Sequence, residues 1–253
     1  TDKTKAVVLN TPNNPTGMLY TEEELRAIAK VVVEKDIYVV ADEMYENLIY
    51  GDKKHVSIAS LGEEIYKRTI TCSIASLNKE IYDRTITING VSKSYAMTGW
   101  RIGYTGSSKE IAKMMGSVQS HQTSNPNSIA QKAAVEALTG PQDSVVKMHA
   151  EFDKRRKYMY ERICKMPLVS TIEPMGAFYV FVDASEVLGK KYKDTVVESV
   201  AQMAEILIND YNTAVVPCAD FGFEKHLRLS YAISIEQIEK GLDRIESFLN
   251  DLK

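Results

Sequence analysis

Residues 5–42, KAVVLNTPNNPTGMLYTEEELRAIAKVVVEKDIYVVAD, decide the fold. Lys5-Ala6-Val7-Val8-Leu9 is a short continuous apolar run, which reads as a buried strand. It ends in the turn-rich Asn10-Thr11-Pro12-Asn13-Asn14-Pro15-Thr16-Gly17. Thr21 followed three residues later by Glu24 is a capping box, so a helix is expected from there to about Glu34. Ile37-Tyr38-Val39-Val40-Ala41 is a second apolar run, ending at Asp42-Glu43. Strand, helix and strand joined by short links make a parallel βαβ unit, so the fold class is α/β with a mainly parallel, doubly wound sheet. Ligands of such sheets gather at the carboxyl ends of the strands. Asn14, Asp42 and, further on, Lys93 each follow an expected strand at that end.

Residues 57–88 hold a tandem repeat. Ser57–Cys72 recurs as Ser73–Ile88, with 12 of 16 positions identical. Because the second copy runs directly toward Lys93, its Thr85-Ile86-Thr87-Ile88 is expected in the sheet, and the first copy is expected as a surface insertion. Downstream, helices are expected over about 128–138, 144–166, 194–210 and 235–251, and strands at 177–182, 214–216 and 227–230. The reading therefore divides the chain into a partial large domain, 1–143, and an α+β small domain, 144–253.

The segment with the most chemistry is Gly90-Val91-Ser92-Lys93-Ser94-Tyr95-Ala96-Met97-Thr98-Gly99-Trp100-Arg101-Ile102-Gly103. It offers one lysine among small residues and an arginine eight positions later. A lysine amine that is to trap an aldehyde as a Schiff base needs close backbone approach and little bulk. Arg101 is planar, always charged and bidentate, which suits a phosphate, and Ser92 or Ser94 adds a hydroxyl. Asp42 at the end of a buried strand needs a cation, such as a protonated pyridine nitrogen, with Glu43 as its rival pointing the other way. Tyr45 and Asn14 offer donors to a ring oxygen. Arg228, in His226-Leu227-Arg228-Leu229-Ser230, is suited to a substrate carboxylate, although alternation alone puts it only on the face opposite Leu227 and Leu229.

Composition limits the alternatives. The 31 basic and 34 acidic residues leave a net charge of −3, with no electrostatic bias toward nucleic acid or an anionic membrane. The basic run Lys154-Arg155-Arg156-Lys157 reads as a solvated helix face. Cys72, Cys164 and Cys218 form no metal spacing, and the four histidines are scattered, so no metal site is assigned. Reduced thiols in a cytoplasmic protein are the simplest reading.

Together these segments resemble the class I/II aminotransferases of pyridoxal-phosphate (PLP) fold type I, most of all the bacterial aspartate/aromatic branch. The resemblance implies PLP as cofactor and transamination between an amino acid, aspartate or a similar L-amino acid, and a 2-oxo acid. It implies that Lys93 carries the Schiff base, Asp42 pairs with the pyridine nitrogen, and Asn14 and Tyr45 contact the ring oxygen. Arg101 and Ser92 would hold the phosphate, and Arg228 with Asn14 the substrate carboxylate. It also implies a homodimer, and an N-terminal part of the family's sequence that precedes Thr1. Cys218 stands where the family usually has glycine; a glycine-only backbone angle there would cost a cysteine about 1 kcal/mol or more. Other fold type I enzymes, C–S lyases and synthases, would keep the same residues, as would an inactive fragment or a PLP-sensing regulatory domain.

Overall fold

The computed structural model describes residues 1–57 and 85–253. The chain divides into two compact units, Thr1–Pro12 with Leu19–Val146, and Asn13–Met18 with Lys147–Lys253. The sequence reading drew one boundary after 143; the units found break at 146 and assign the short segment 13–18 to the second.

The first unit is built on a four-stranded sheet in the order β1 (Ala6–Asn10), β2 (Tyr38–Asp42), β3 (Thr85–Gly90), β4 (Gly103–Gly106). β1, β2 and β3 are parallel, with Asn10 opposite Asp42 and Asp42 opposite Ile88, while β4 runs antiparallel on the edge. The strand expected in the second repeat copy is thus β3, next to β2. Apart from Ser57, the first copy lies outside the described residues.

Between β1 and β2 lies α1 (Glu22–Glu34). Its capping box is complete: the Glu24 amide donates to Thr21 Oγ1 at 3.2 Å and the Thr21 amide to Glu24 Oε2 at 2.8 Å. Those two bonds satisfy donors that the first helical turn leaves without partners. Leu25 and Val32 project from one face of α1 onto Leu9, Val39 and Ala41 of the strands, and this cluster is the unit's core. Two elements follow that the sequence reading did not resolve, β4 and α2 (Lys109–Thr123). Neither has a buried residue; α2 nevertheless carries Ile111, Met114, Met115 and Val118 at helical spacing, a signal that the sequence reading passed over. α3 (Ser128–Thr139) starts where expected, because Asn127 Oδ1 accepts from the amides of Ile129 and Ala130.

The second unit is α+β. Its sheet has the order β5 (Ser170–Thr171), β6 (Tyr179–Asp183), β10 (His226–Ser230), β9 (Val216–Pro217), all pairs antiparallel. The body of α4 (Asp143–Ile163), α5 (Val200–Tyr211) and α6 (Ile235–Asn250) supply Met159, Ile163, Met203, Leu207, Ile238, Leu242, Ile245 and Phe248 to its buried core. The helix expected from 194 begins later, at Val200. The residues before it form a small ribbon, β7 (Lys191–Tyr192) and β8 (Thr195–Val196), and Ser199 caps the helix through the Gln202 amide.

Candidate active site

In the first unit the candidate residues stand at the carboxyl ends of neighbouring parallel strands. Asp42 is the last residue of β2, half-buried, with Oδ1 accepting from the Met44 amide at 3.2 Å. Its carbonyl accepts from the Thr11 amide at 3.1 Å and from Asn10 Nδ2 at 3.2 Å, which ties the ends of β1 and β2 together. Lys93 leaves β3 three residues after Gly90, in a turn closed by the Ala96 amide on the Lys93 carbonyl at 3.2 Å. Its Nζ lies 6.0 Å from the centre of the Tyr45 ring, so Lys93 and Tyr45 are brought together. A Cβ on Gly90 would meet Gly103 Cα at 3.2 Å and the Ile102 carbonyl at 3.3 Å, which explains why glycine precedes the lysine loop.

The rest of this loop is unusual in its backbone. Ala96 and Arg101 both have φ of 52°, a left-handed angle that costs a non-glycine residue about 1–2 kcal/mol. Such strain concentrates where a loop is shaped for function. Ser92 is half-buried and Ser94 is buried. Arg101 is exposed, and its Nη1 donates to the Thr98 carbonyl at 2.8 Å. Asp42's rival, Glu43, is fully buried and accepts from Ser57 Oγ at 2.5 Å, so it is engaged on the other side of the strand.

In the second unit Arg228 Nη1 donates to Asn14 Oδ1 at 2.7 Å, joining residues 214 positions apart. The guanidinium lies 4.5 Å from the centre of the Tyr179 ring and 5.4 Å from that of Phe221. Leu227 and Leu229 fill the core on the opposite face at 2% and 8% exposure. Asn14 is held by the turn around it. Asn13 Oδ1 accepts from the Thr16 amide and hydroxyl, and Gly17 takes the left-handed φ of 70° expected of it. The Gly17 carbonyl then accepts from the Met175 and Gly176 amides at 2.9 and 2.8 Å.

A family model described as aminotransferase class I and II matches residues 1–245. The chain belongs to this family. It is 43% identical over 249 residues to an aspartate aminotransferase of Bacillus sp. (strain YM-2), covering 98% of this chain and 58% of that protein. The aspartate aminotransferase structure from Rhizobium meliloti is similar at TM-score 0.88 and 34% identity, covering all of this chain and 60% of that one. The aromatic aminotransferase structure from Pyrococcus horikoshii matches at 0.85 and 35%, covering 99% and 61%. The aminotransferase chain thus spans about three fifths of the length of the relatives it matches, and its fold is PLP fold type I with a partial large domain.

The donor set of this chain suits PLP. An amine, a carboxylate and a phenol stand at the carboxyl edge of the parallel strands, and an arginine follows in the same loop. The structure answers two points that the sequence raised. Cys218 has φ −102°, an ordinary angle, so no left-handed strain arises there. Its side chain is fully buried, and burial pushes the thiol up to about 11, against the pull of the Arg228 charge. The basic run 154–157 is not a wholly solvated face: Arg156 is 4% exposed and ion-paired to Asp153 and Glu173. The sequence reading also missed Tyr179 and Phe221 as neighbours of Arg228, since single aromatic residues on distant elements carry no local signal.

Proposed function

We propose that this chain carries the greater part of a PLP-dependent aminotransferase that moves an amino group between an L-amino acid, aspartate or a close analogue, and a 2-oxo acid. The observation that carries the reading is the placement of Lys93 over Tyr45 next to Asp42, at adjacent strand ends. When bound, PLP supplies an aldehyde and an electron-withdrawing ring. Lys93 would be the amine that holds the aldehyde group and would move a proton to and from the substrate Cα. Asp42 keeps a proton on the ring nitrogen by pairing with it. The Tyr45 hydroxyl donates to the ring oxygen, and Arg101 with Ser92 takes the phosphate.

Arg228 has five N–H donors, and the Asn14 bond uses one, which supports a bidentate grip on a substrate carboxylate. Because Asn14 presents its oxygen to Arg228, its Nδ2 is the end that donates to substrate or cofactor. Tyr179 and Phe221 hold the guanidinium plane by stacking. The preference for aspartate rests on the names of the relatives, most of which are aspartate or aspartate/prephenate aminotransferases. A homodimer and a cytoplasmic location belong to the same proposal and rest on the resemblance. Among the described residues no helix is long and apolar enough to cross a membrane.

The test is to mix the chain with PLP, reduce with borohydride and map the tagged lysine by mass spectrometry. Stoichiometric tagging at Lys93, lost in Lys93→Ala, is expected. Scattered tagging of surface lysines would overturn the assignment. Keto-acid-dependent amino transfer, assayed next, separates a transaminase from a C–S lyase or a synthase.

A further inference from the structure

Beyond Asp42 the chain makes a turn in which the Glu46 amide donates to the Glu43 carbonyl at 2.9 Å, and it returns at His55–Ser57. One carboxylate oxygen from each of Glu43 and Glu46 and one ring nitrogen of His55 lie within 4.8 Å of one another. This cluster is interior. The Glu43 side chain has no exposure and that of His55 is 9% exposed. Glu43 Oε1 accepts from Ser57, but Glu43 Oε2 and both ring nitrogens of His55 are buried without any hydrogen-bond partner. The nearest approach between them is 3.6 Å, from His55 Nε2 to Glu43 Oε2.

Buried polar atoms are nearly always paired, so three orphans around one point need an explanation. A proton on His55 is a poor one. It would serve Glu43 Oε2 through Nε2 but cancel only one of two carboxylate charges. A divalent cation cancels both and takes lone pairs from all three groups.

We propose that Glu43, Glu46 and His55 form a binding site for a divalent transition-metal ion, with zinc as the best fit. One imidazole and two carboxylates suit zinc, whereas calcium and magnesium favour oxygen-only shells. Bonds of about 2.0–2.2 Å place tetrahedral ligands roughly 3.3 Å apart, so the side chains draw in by about an ångström and a water takes the fourth position. Two of the three ligands, the carboxylates, have supporting groups of the kind that metal ligands use. Ser57 orients the Glu43 carboxylate, and Asn89 hydrogen-bonds Glu46 while its own Oδ1 accepts from the Gly90 amide at 2.7 Å. The ion would clamp the turn after Asp42 to the returning segment at His55. Sequence spacing did not reveal the site, because positions 43, 46 and 55 match no metal motif. It does not depend on PLP chemistry.

The test is calorimetric titration of the metal-stripped chain with zinc ion, with cobalt(II) absorption as a probe of geometry. One equivalent is expected to bind, with a tetrahedral cobalt spectrum free of thiolate charge transfer. His55→Ala and the near-isosteric Glu46→Gln should each weaken binding by roughly 100-fold or more, since loss of a ligand exceeds the 10–100-fold typical of a supporting group. His121→Ala, an exposed control, should leave binding unchanged. Failure to saturate near one equivalent, a thiolate–cobalt band, or binding that survives Glu46→Gln in a chain shown to be folded would overturn the proposal.

Discussion

Replacing Arg156 by methionine separates a structural anchor from a solvated helix face. Arg156 Nε donates to Asp153 Oδ1 at 2.9 Å, and its Nη1 to Glu173 Oε1 at 2.7 Å and to the Pro174 carbonyl at 3.0 Å. Methionine keeps much of the apolar stem and removes every donor. The buried Pro174 carbonyl then lacks this donor, at about 1–3 kcal/mol. Asp153 is 24% exposed and keeps Lys157 at 2.7 Å, so its loss adds about 1 kcal/mol. Glu173 is 58% exposed and contributes about 0–1 kcal/mol, the value of a surface pair. The sum is about 3 kcal/mol, or a fall in Tm of roughly 12–24 °C if the second unit melts as a domain of about 100 residues.

The penalty should depend on pH. Burial raises the Asp153 carboxyl, but bonds from Lys157 and Arg156 outweigh it and hold the group below its ordinary value. A depressed carboxyl stabilises the fold above its unfolded pKa of about 3.9 and loses that contribution as pH falls through the folded value. The gap between parent and variant, measured by urea unfolding followed by circular dichroism, should therefore be full near pH 7 and narrow below about pH 4. A gap under about 1 kcal/mol at pH 7 would refute the anchor and restore the solvated-face reading.

Three further outcomes are expected. At pH 8 iodoacetamide should modify exposed Cys164 at least about 100-fold faster than buried Cys218, whose thiol is lifted to about 11, as peptide mapping would show; comparable rates would mean that Cys218 is reachable. Gly17→Ala should destabilise by about 3 kcal/mol or more, because its Cβ meets Pro174 Cβ at 3.0 Å and the Gly176 carbonyl at 3.1 Å at a φ of 70°. Gly51→Ala, at the same φ in open space, should lose only about 1 kcal/mol, so equal effects in thermal melts would contradict the packing argument. Thr21→Ala should cost about 1 kcal/mol by removing the cap of α1, while Thr21→Ser stays near the parent.

What the sequence determined by itself is what depends on neighbours along the chain. The βαβ unit at 5–42, the Thr21–Glu24 cap, the Asn127 cap and the turn at Gly17 follow from periodicity, hydrogen-bonding side chains and φ preference within a few residues. The lysine loop was legible for the same reason, since its small residues, lysine and arginine are contiguous. Tertiary structure alone decided the rest. It set Asn14 against Arg228 across 214 positions, brought the Tyr179 and Phe221 rings to that guanidinium, and buried Arg156 within a run of surface cations. It also gathered Glu43, Glu46 and His55 around one point and gave Cys218 an ordinary backbone angle. Each of these depends on which distant groups meet and how much water is excluded when they do. Local patterns do not encode that, because charge and burial act through space.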